Sequence, residues 1–277
     1  MYDLTPGPIG VFDSGFGGLS VLADLQRALP DADFVYLGDN ARAPYGTRSF
    51  DAVYTFTLQA VRKLFELGCP LVILACNTAS AKALRSIQQR DLPALAPRRR
   101  VLGVIRPTAE AVGDMSRTGV VGLLGTPGTV ASRSYDMEVA KLHPGFSVVS
   151  EAAPMWVPIV EQGFADSPGA DWFVKEAVDR LLARDSRIDT IILGCTHYPL
   201  LYAKIRAAVP PDTQVVCQGP IVAASLKDYL RRHPDIDSAI TRGGLSRYLT
   251  TDDAADFARK ASVFLGREIS AERTTLL

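Results

Sequence analysis

Two cysteines in this 277-residue chain end apolar runs: Cys76 in LVILACNTA and Cys195 in TIILGCTHYP. The stretches share apolar–apolar–Leu–small–Cys, with a threonine close behind, and hydrogen-bonding residues follow each thiol: Asn77 and Thr78, then Thr196 and His197. A free cysteine often serves as a small buried hydrophobe, and that reading suffices for either residue alone. The pair changes the question. A helix starting behind each thiol would offer unpaired N–H groups and a positive dipole end. Such surroundings favour thiolate against an ordinary pKa of ~8.5. Two acid/base groups flanking one carbon take a proton from one face and return one to the other, which inverts the centre; a single base hands the proton back to the same face. A redox switch would need local cysteine pairing, and there is no CxxC. A thiol hydrolase needs one nucleophile with a histidine partner. Cys69, in GCP, and Cys217, in VVCQG, lack the polar followers and read as structural.

Other motifs could furnish partners for such a site. FDSGFGGLSVL puts Asp13 and Ser14 at a strand end ahead of a glycine-rich turn, where Gly15, Gly17 and Gly18 would let backbone N–H groups approach an anion. A tight strand-to-helix turn explains the same glycines. GDNARAPYG presents Tyr45 and Gly46 in a turn, and GTPGTV places Thr126 and Thr129 at another strand end, where helix capping is the competing explanation. His197, one of three histidines, lies two residues from Cys195 and suits an acid/base role; Asp13 would play the matching part for Cys76.

The elements positioning these residues repeat as strand, turn, helix. Strand-length apolar runs occur at 8–14, 33–39, 71–77, 101–105, 119–126, 146–152, 190–196 and 214–220. Between them, LSVLADLQRAL, FDAVYTFTLQAVRKLFELG and DWFVKEAVDRLLARDS carry apolar residues at helical spacing. Runs buried on both faces and separated by helices imply parallel sheets, hence an α/β fold. DLPALAPRRR, 91–100, reads as a solvated linker, and Pro210-Pro211 as a second crossing. The expected division is 1–97 plus 210–277 as one α/β domain and 98–209 as the other. The echo between the cysteine motifs suggests related halves, with strand ends looking across one cleft.

Composition sets limits. Hydrophobic residues form 47% and charged residues 22%, with Lys+Arg and Asp+Glu equal at 30 each, so no global basic field invites nucleic acid or an anionic membrane. No apolar run approaches the roughly 20 residues that span a bilayer, and MYDLTPGPIG has no secretory pattern. A cytoplasmic protein with reduced thiols, no disulfide framework and no metal site is expected.

DSGFGGLSV, DNARAPYG, ACNTA and GCTHYPLL, in this order and spacing, resemble the glutamate racemases of the aspartate/glutamate racemase superfamily over nearly the whole chain. The resemblance implies two related parallel-sheet α/β domains with the active site between them, and cofactor-independent interconversion of L- and D-glutamate. It further implies a cytoplasmic role supplying D-glutamate for peptidoglycan, and it leaves a homodimer open. Cys76 would deprotonate D-glutamate and Cys195 L-glutamate, assisted by Asp13 and His197 respectively. Ser14, Tyr45, Gly46, Asn77, Thr78 and Thr196 would hold the substrate's amino and carboxylate groups, together with Thr126, Thr129 and Glu161; Asp13 and His197 would also contact substrate. The sequence departs from the usual pattern at Ala43, Arg106 and Ala153, none of which is in the thiol pair. Because the matched motifs are rich in amides and hydroxyls, neutral donors, with no cation beside either thiol, are expected to hold the carboxylates.

Overall fold

The computed structural model describes residues 2–276; Met1 and Leu277, the outermost positions of the first expected domain, lie outside the described residues. The chain forms two parallel sheets. One contains β1 (Ile9–Asp13), β2 (Phe34–Gly38), β3 (Leu71–Leu74), β4 (Arg100–Gly103), β9 (Ser246–Thr250) and β10 (Glu272–Arg273), in the order β10-β9-β2-β1-β3-β4. The other contains β5 (Val120–Gly125), β6 (Ser147–Ala152), β7 (Thr190–Gly194) and β8 (Gln214–Val216), in the order β6-β5-β7-β8. All eight anticipated strands form. The short β9 and β10 were not anticipated: SRYLT is partly polar, and the two residues of β10 are exposed.

Every residue of β1, β2, β3, β5 and β7 is buried, as expected for central parallel strands covered by helices on both faces. The helix Gly18–Ala28 buries Leu19, Leu22 and Leu25 in the same core as Val222, Leu226 and Leu230 of the helix Gln218–Arg232. Each such side chain contributes roughly 1.5–3 kcal/mol when fully buried. No helix among the described residues is long and apolar enough to cross a membrane.

The two sheets repeat one topology. The orders β2-β1-β3-β4 and β6-β5-β7-β8 are the same path traced twice. In each, the chain leaves its first strand to one side and returns on the other, creating a switch point at β1/β3 and at β5/β7. Crevices for ligands open at the carboxyl ends of such strands. Asp13 ends β1, Cys76 lies just beyond β3, Thr126 follows β5 and Cys195 follows β7.

Two boundary expectations need correction. β4 pairs with β3 and β8 with β7, so sheet membership changes between Gly103 and Val120 and again between Val216 and Ser246, not at 97/98 and 209/210. Nor is 91–100 a solvated linker. Residues 87–95 are helical, and Arg99 is only 4% exposed. Its guanidinium donates to the carbonyl oxygens of Asp3 at 2.7 Å, Phe65 at 2.6 Å and Cys69 at 3.3 Å, which satisfies the buried charge. The arginine run misled because a long cationic side chain can be buried when carbonyls surround its head.

Candidate active site

Cys76 caps the short helix Asn77–Lys82, its Sγ accepting from the Ala79 amide at 3.4 Å. The same sulfur donates to Ser14 Oγ at 3.5 Å. Burial first, then the nearby Asp13 charge, pushes the Cys76 thiol up to about 12, while the two hydrogen bonds pull the other way. At neutral pH Cys76 is a protonated thiol.

Cys195 stands before a 3₁₀ turn at Tyr198–Leu201. The residue ahead of it is small for a reason: a Cβ on Gly194 would lie 2.6 Å from Leu123 Cδ1. Cys195 Sγ is 3.8 Å from His197 Nδ1, and His197 Nε2 is 3.0 Å from Glu161 Oε1. Burial opposes a charge on His197, yet its bonds to Cys195 and Glu161 raise it to about 10, so it is an imidazolium at neutral pH. A cation therefore stands beside one thiol. The expectation of no cation beside either thiol does not hold at Cys195.

Asp13 is fully buried and touches neither sulfur in a hydrogen bond. Its carboxylate accepts from the Gly15 amide at 3.0 Å, the Gly18 amide, and Thr196 Oγ1 at 3.3 Å. The glycine-rich turn thus cradles the chain's own carboxylate, and Gly15 and Gly18 do not have their amides free for a ligand. Gly17 serves a different end. A Cβ there would lie 2.3 Å from Thr196 Oγ1 and 2.5 Å from His197 Nδ1, so only glycine admits the second domain this close. Burial raises the Asp13 pKa, opposed by the His197 charge and these donors. Asp13 influences Cys76 through its charge and joins the Cys195 side through Thr196.

Both thiols border one cavity of about 100 Å³, together with Ser14, Tyr45, Gly46, Asn77, Thr78, Thr126, Glu161, Thr196 and His197. Of the expected site residues, only Asp13 and Thr129 stand behind this lining. Thr78 Oγ1 lies 3.0 Å from Thr126 Oγ1 and 3.4 Å from Thr129 Oγ1, joining hydroxyls of the two domains across the cleft. Gly128 N donates to Gly46 O at 2.8 Å, a second crossing contact. The Tyr45 hydroxyl donates to buried Asp39, which also takes Arg42 Nε at 2.7 Å. Pro154, Val157 and Pro158 supply an apolar wall that sequence reasoning did not anticipate. A larger cavity of about 600 Å³ is bordered by Ala81, Leu84, Arg106, Glu110 and Tyr229 and by neither cysteine. Arg106 pairs with Glu110 at 2.9 Å, away from the thiols.

Cys69 is wholly buried in the core of the first domain and burial raises it to about 12; Cys217 precedes the helix Gln218–Arg232. Neither borders the cysteine cavity. Among the described residues no group of three His, Cys, Asp or Glu side chains is placed to hold a metal ion.

The sequence pattern of the family described as Asp/Glu/Hydantoin racemase matches residues 9–226. The chain belongs to that family. Within it, the glutamate racemase of Ruegeria sp. (strain TM1040) is 44% identical over 274 residues, covering 95% of this chain and 98% of the relative. The crystal structure of glutamate racemase isoform RacE1 from Bacillus anthracis matches with a TM-score of 0.88 at 34% identity over 98% of each chain. The glutamate racemase of Francisella tularensis subsp. tularensis SCHU S4, solved in complex with D-glutamate, matches with a TM-score of 0.86 at 30% identity, again over 98% of each chain. As a member of this racemase family the chain is an isomerase, with two α/β domains and its cleft between them.

Proposed function

We propose that this chain is a glutamate racemase, interconverting L- and D-glutamate by a cofactor-independent two-cysteine mechanism. The observation that carries the reading is positional: Cys76 and Cys195 occupy corresponding strand ends in two sheets of the same topology and border one cavity. With L-glutamate bound, the Cys195 thiolate takes the α-proton and the Cys76 thiol gives its own proton to the opposite face. With D-glutamate the roles exchange. One proton leaves the carbon and one arrives, so each turnover leaves the two sulfurs in swapped protonation states.

The α-proton of an amino acid is far less acidic than a thiol, and each ~1.4 kcal/mol removed from the barrier gains tenfold in rate. Preorganised donors in a dry cleft supply that help. The hydroxyls of Ser14, Thr78 and Thr126 and the amide of Asn77 are the donors set around the cavity; Thr196 Oγ1, whose hydrogen goes to Asp13, faces it as an acceptor, with Thr129 behind and Tyr45 and Gly46 forming the near wall. Asp13 orients Thr196, and Glu161 holds His197 against Cys195. The cavity is small and bridged by the Thr78–Thr126 and Gly46–Gly128 contacts, so entry of glutamate requires these to part. A cytoplasmic role supplying D-glutamate for peptidoglycan accompanies this reading.

Aspartate or another acidic amino acid is the competing substrate. Separate incubations of purified protein with L-glutamate and L-aspartate, without pyridoxal phosphate and followed by circular dichroism, decide between them. Decay of the glutamate signal towards zero with aspartate unchanged is expected. A constant glutamate signal from folded protein would sink the assignment.

A further inference from the structure

Behind Cys76 lies a closed ring of three buried side chains drawn from both domains. Asn77 Nδ2 donates to Gln218 Oε1 at 2.7 Å, Gln218 Nε2 donates to the Tyr135 hydroxyl at 2.6 Å, and that hydroxyl donates to Asn77 Oδ1 at 2.7 Å. None of the three is more than 4% exposed. Gln218 Nε2 also donates to Thr108 Oγ1 at 2.9 Å, and Thr108 Oγ1 donates to the Val104 carbonyl at 2.8 Å.

The direction of every bond in the ring follows from Thr108. Its one hydroxyl hydrogen is spent on Val104, so it can only accept from Gln218. The Gln218 NH2 group must then face Thr108 and Tyr135, which turns its oxygen towards Asn77. Asn77 must answer with its NH2 group, leaving its oxygen to Tyr135. A reversed Asn77 amide would set oxygen against oxygen and leave the Tyr135 hydroxyl hydrogen without an acceptor in the ring. Asn77 spends one hydrogen and one lone pair here and keeps one of each. Asn77 also borders the cysteine cavity.

We infer that Tyr135 and Gln218 are positioning residues for the racemisation: they fix which way the Asn77 amide presents its remaining donor and acceptor to glutamate. This rests on the reading of Asn77 as a substrate contact. Placement adds a second consequence. Val104 follows β4 and Gln218 opens the helix after β8, so the ring ties both crossings between the sheets to Asn77. Parting the domains at Tyr135 frees the Asn77 oxygen while Gln218 still holds its NH2 group; docking them fixes both ends.

A double-mutant cycle tests the inference. Tyr135→Phe is expected to lower kcat/KM for glutamate about tenfold, the effect of one buried partner left unsatisfied. In an Asn77→Ala background the same change should alter kcat/KM by less than twofold, because Tyr135 acts through Asn77. A merely structural tyrosine would lower both backgrounds equally, and that result overturns the inference, as does wild-type kcat/KM in Tyr135→Phe alone. The cycle is read in parallel on the Kd for D-glutamate, so slow turnover in Asn77→Ala does not hide the answer. Thr108→Val, which removes the hydroxyl that sets the direction, repeats the cycle if Tyr135→Phe does not fold. A wild-type chain that does not racemise glutamate removes the functional reading and this inference together; an active wild type with an additive cycle removes the inference alone.

Discussion

The Cys76 sulfur meets the Ser14 hydroxyl and the Ala79 amide, whereas the Cys195 sulfur lies 3.8 Å from an imidazole that Glu161 braces from behind. The two thiols occupy corresponding places in duplicate topologies, yet their surroundings differ in charge. Burial holds Cys76 as a thiol, pushed up to about 12, while His197 near 10 keeps a positive charge beside Cys195. A racemase that takes a proton on one side and gives it on the other needs unlike partners at any instant. The cleft has them before substrate arrives: a neutral proton donor on the Cys76 side, and on the other side a cation able to compensate negative charge on sulfur.

The largest expected effects break the pair itself. Cys76→Ser and Cys195→Ser should each lower racemisation about a thousandfold, within the range for a positioned acid/base group. Cys69→Ser and Cys217→Ser should leave most of it, Cys69→Ser with a lower Tm because it buries a hydroxyl. Full activity in either of the first two variants would refute the two-base scheme. Next comes the asymmetry. His197→Ala should cost about a hundredfold in kcat and raise the deuterium isotope effect from L-[α-2H]glutamate, with no rise from D-glutamate; equal rises would mean that His197 serves both sides. Glu161→Gln should lose about tenfold.

A pH measurement sharpens the contrast. The folded His197 retains its proton up to about 10, whereas in the unfolded chain it loses it near the ordinary ~6.5. Between those values the native state binds more protons, so this contribution is complete below ~6.5 and is lost as pH rises through about 10. Thermal melts of wild type should decline over that window, and Glu161→Gln should flatten the decline; an unchanged slope would count against the ion pair. The smallest effect concerns Cys76. Iodoacetamide at pH 7 should modify it slowly, because its thiol stays protonated. Peptide mapping that finds Cys76 labelled first would contradict this.

Much of the cleft was legible in the sequence because strand ends carry their own signature: an apolar run, a small residue, then polar groups. That pattern located Cys76, Cys195, Ser14 and Thr126, and eleven of the thirteen expected residues border the cavity. What stayed hidden depends on distant pairing. Nothing local to Tyr135 marks it as a partner of Asn77, 58 positions away. Gln218 did leave a trace: it directly follows Cys217 in VVCQG, so, contrary to the expectation above, that cysteine does have one polar follower. The glycine turn was misread because its amides face Asp13, a pairing of a carboxylate with its own loop that spacing alone does not reveal. Domain limits slipped by one strand at each crossing, since an apolar run does not say which sheet it joins.

The central claim, two bases on opposite faces, is tested most directly by isotope placement early in turnover. Purified protein is given L-glutamate in D2O, and the reaction is stopped at low conversion. The D-glutamate formed should carry α-deuterium, while the recovered L-glutamate keeps its protium. Protium retained in the product, or as much deuterium in the recovered L-glutamate as in the D-glutamate, would place the chemistry on a single base and contradict the account.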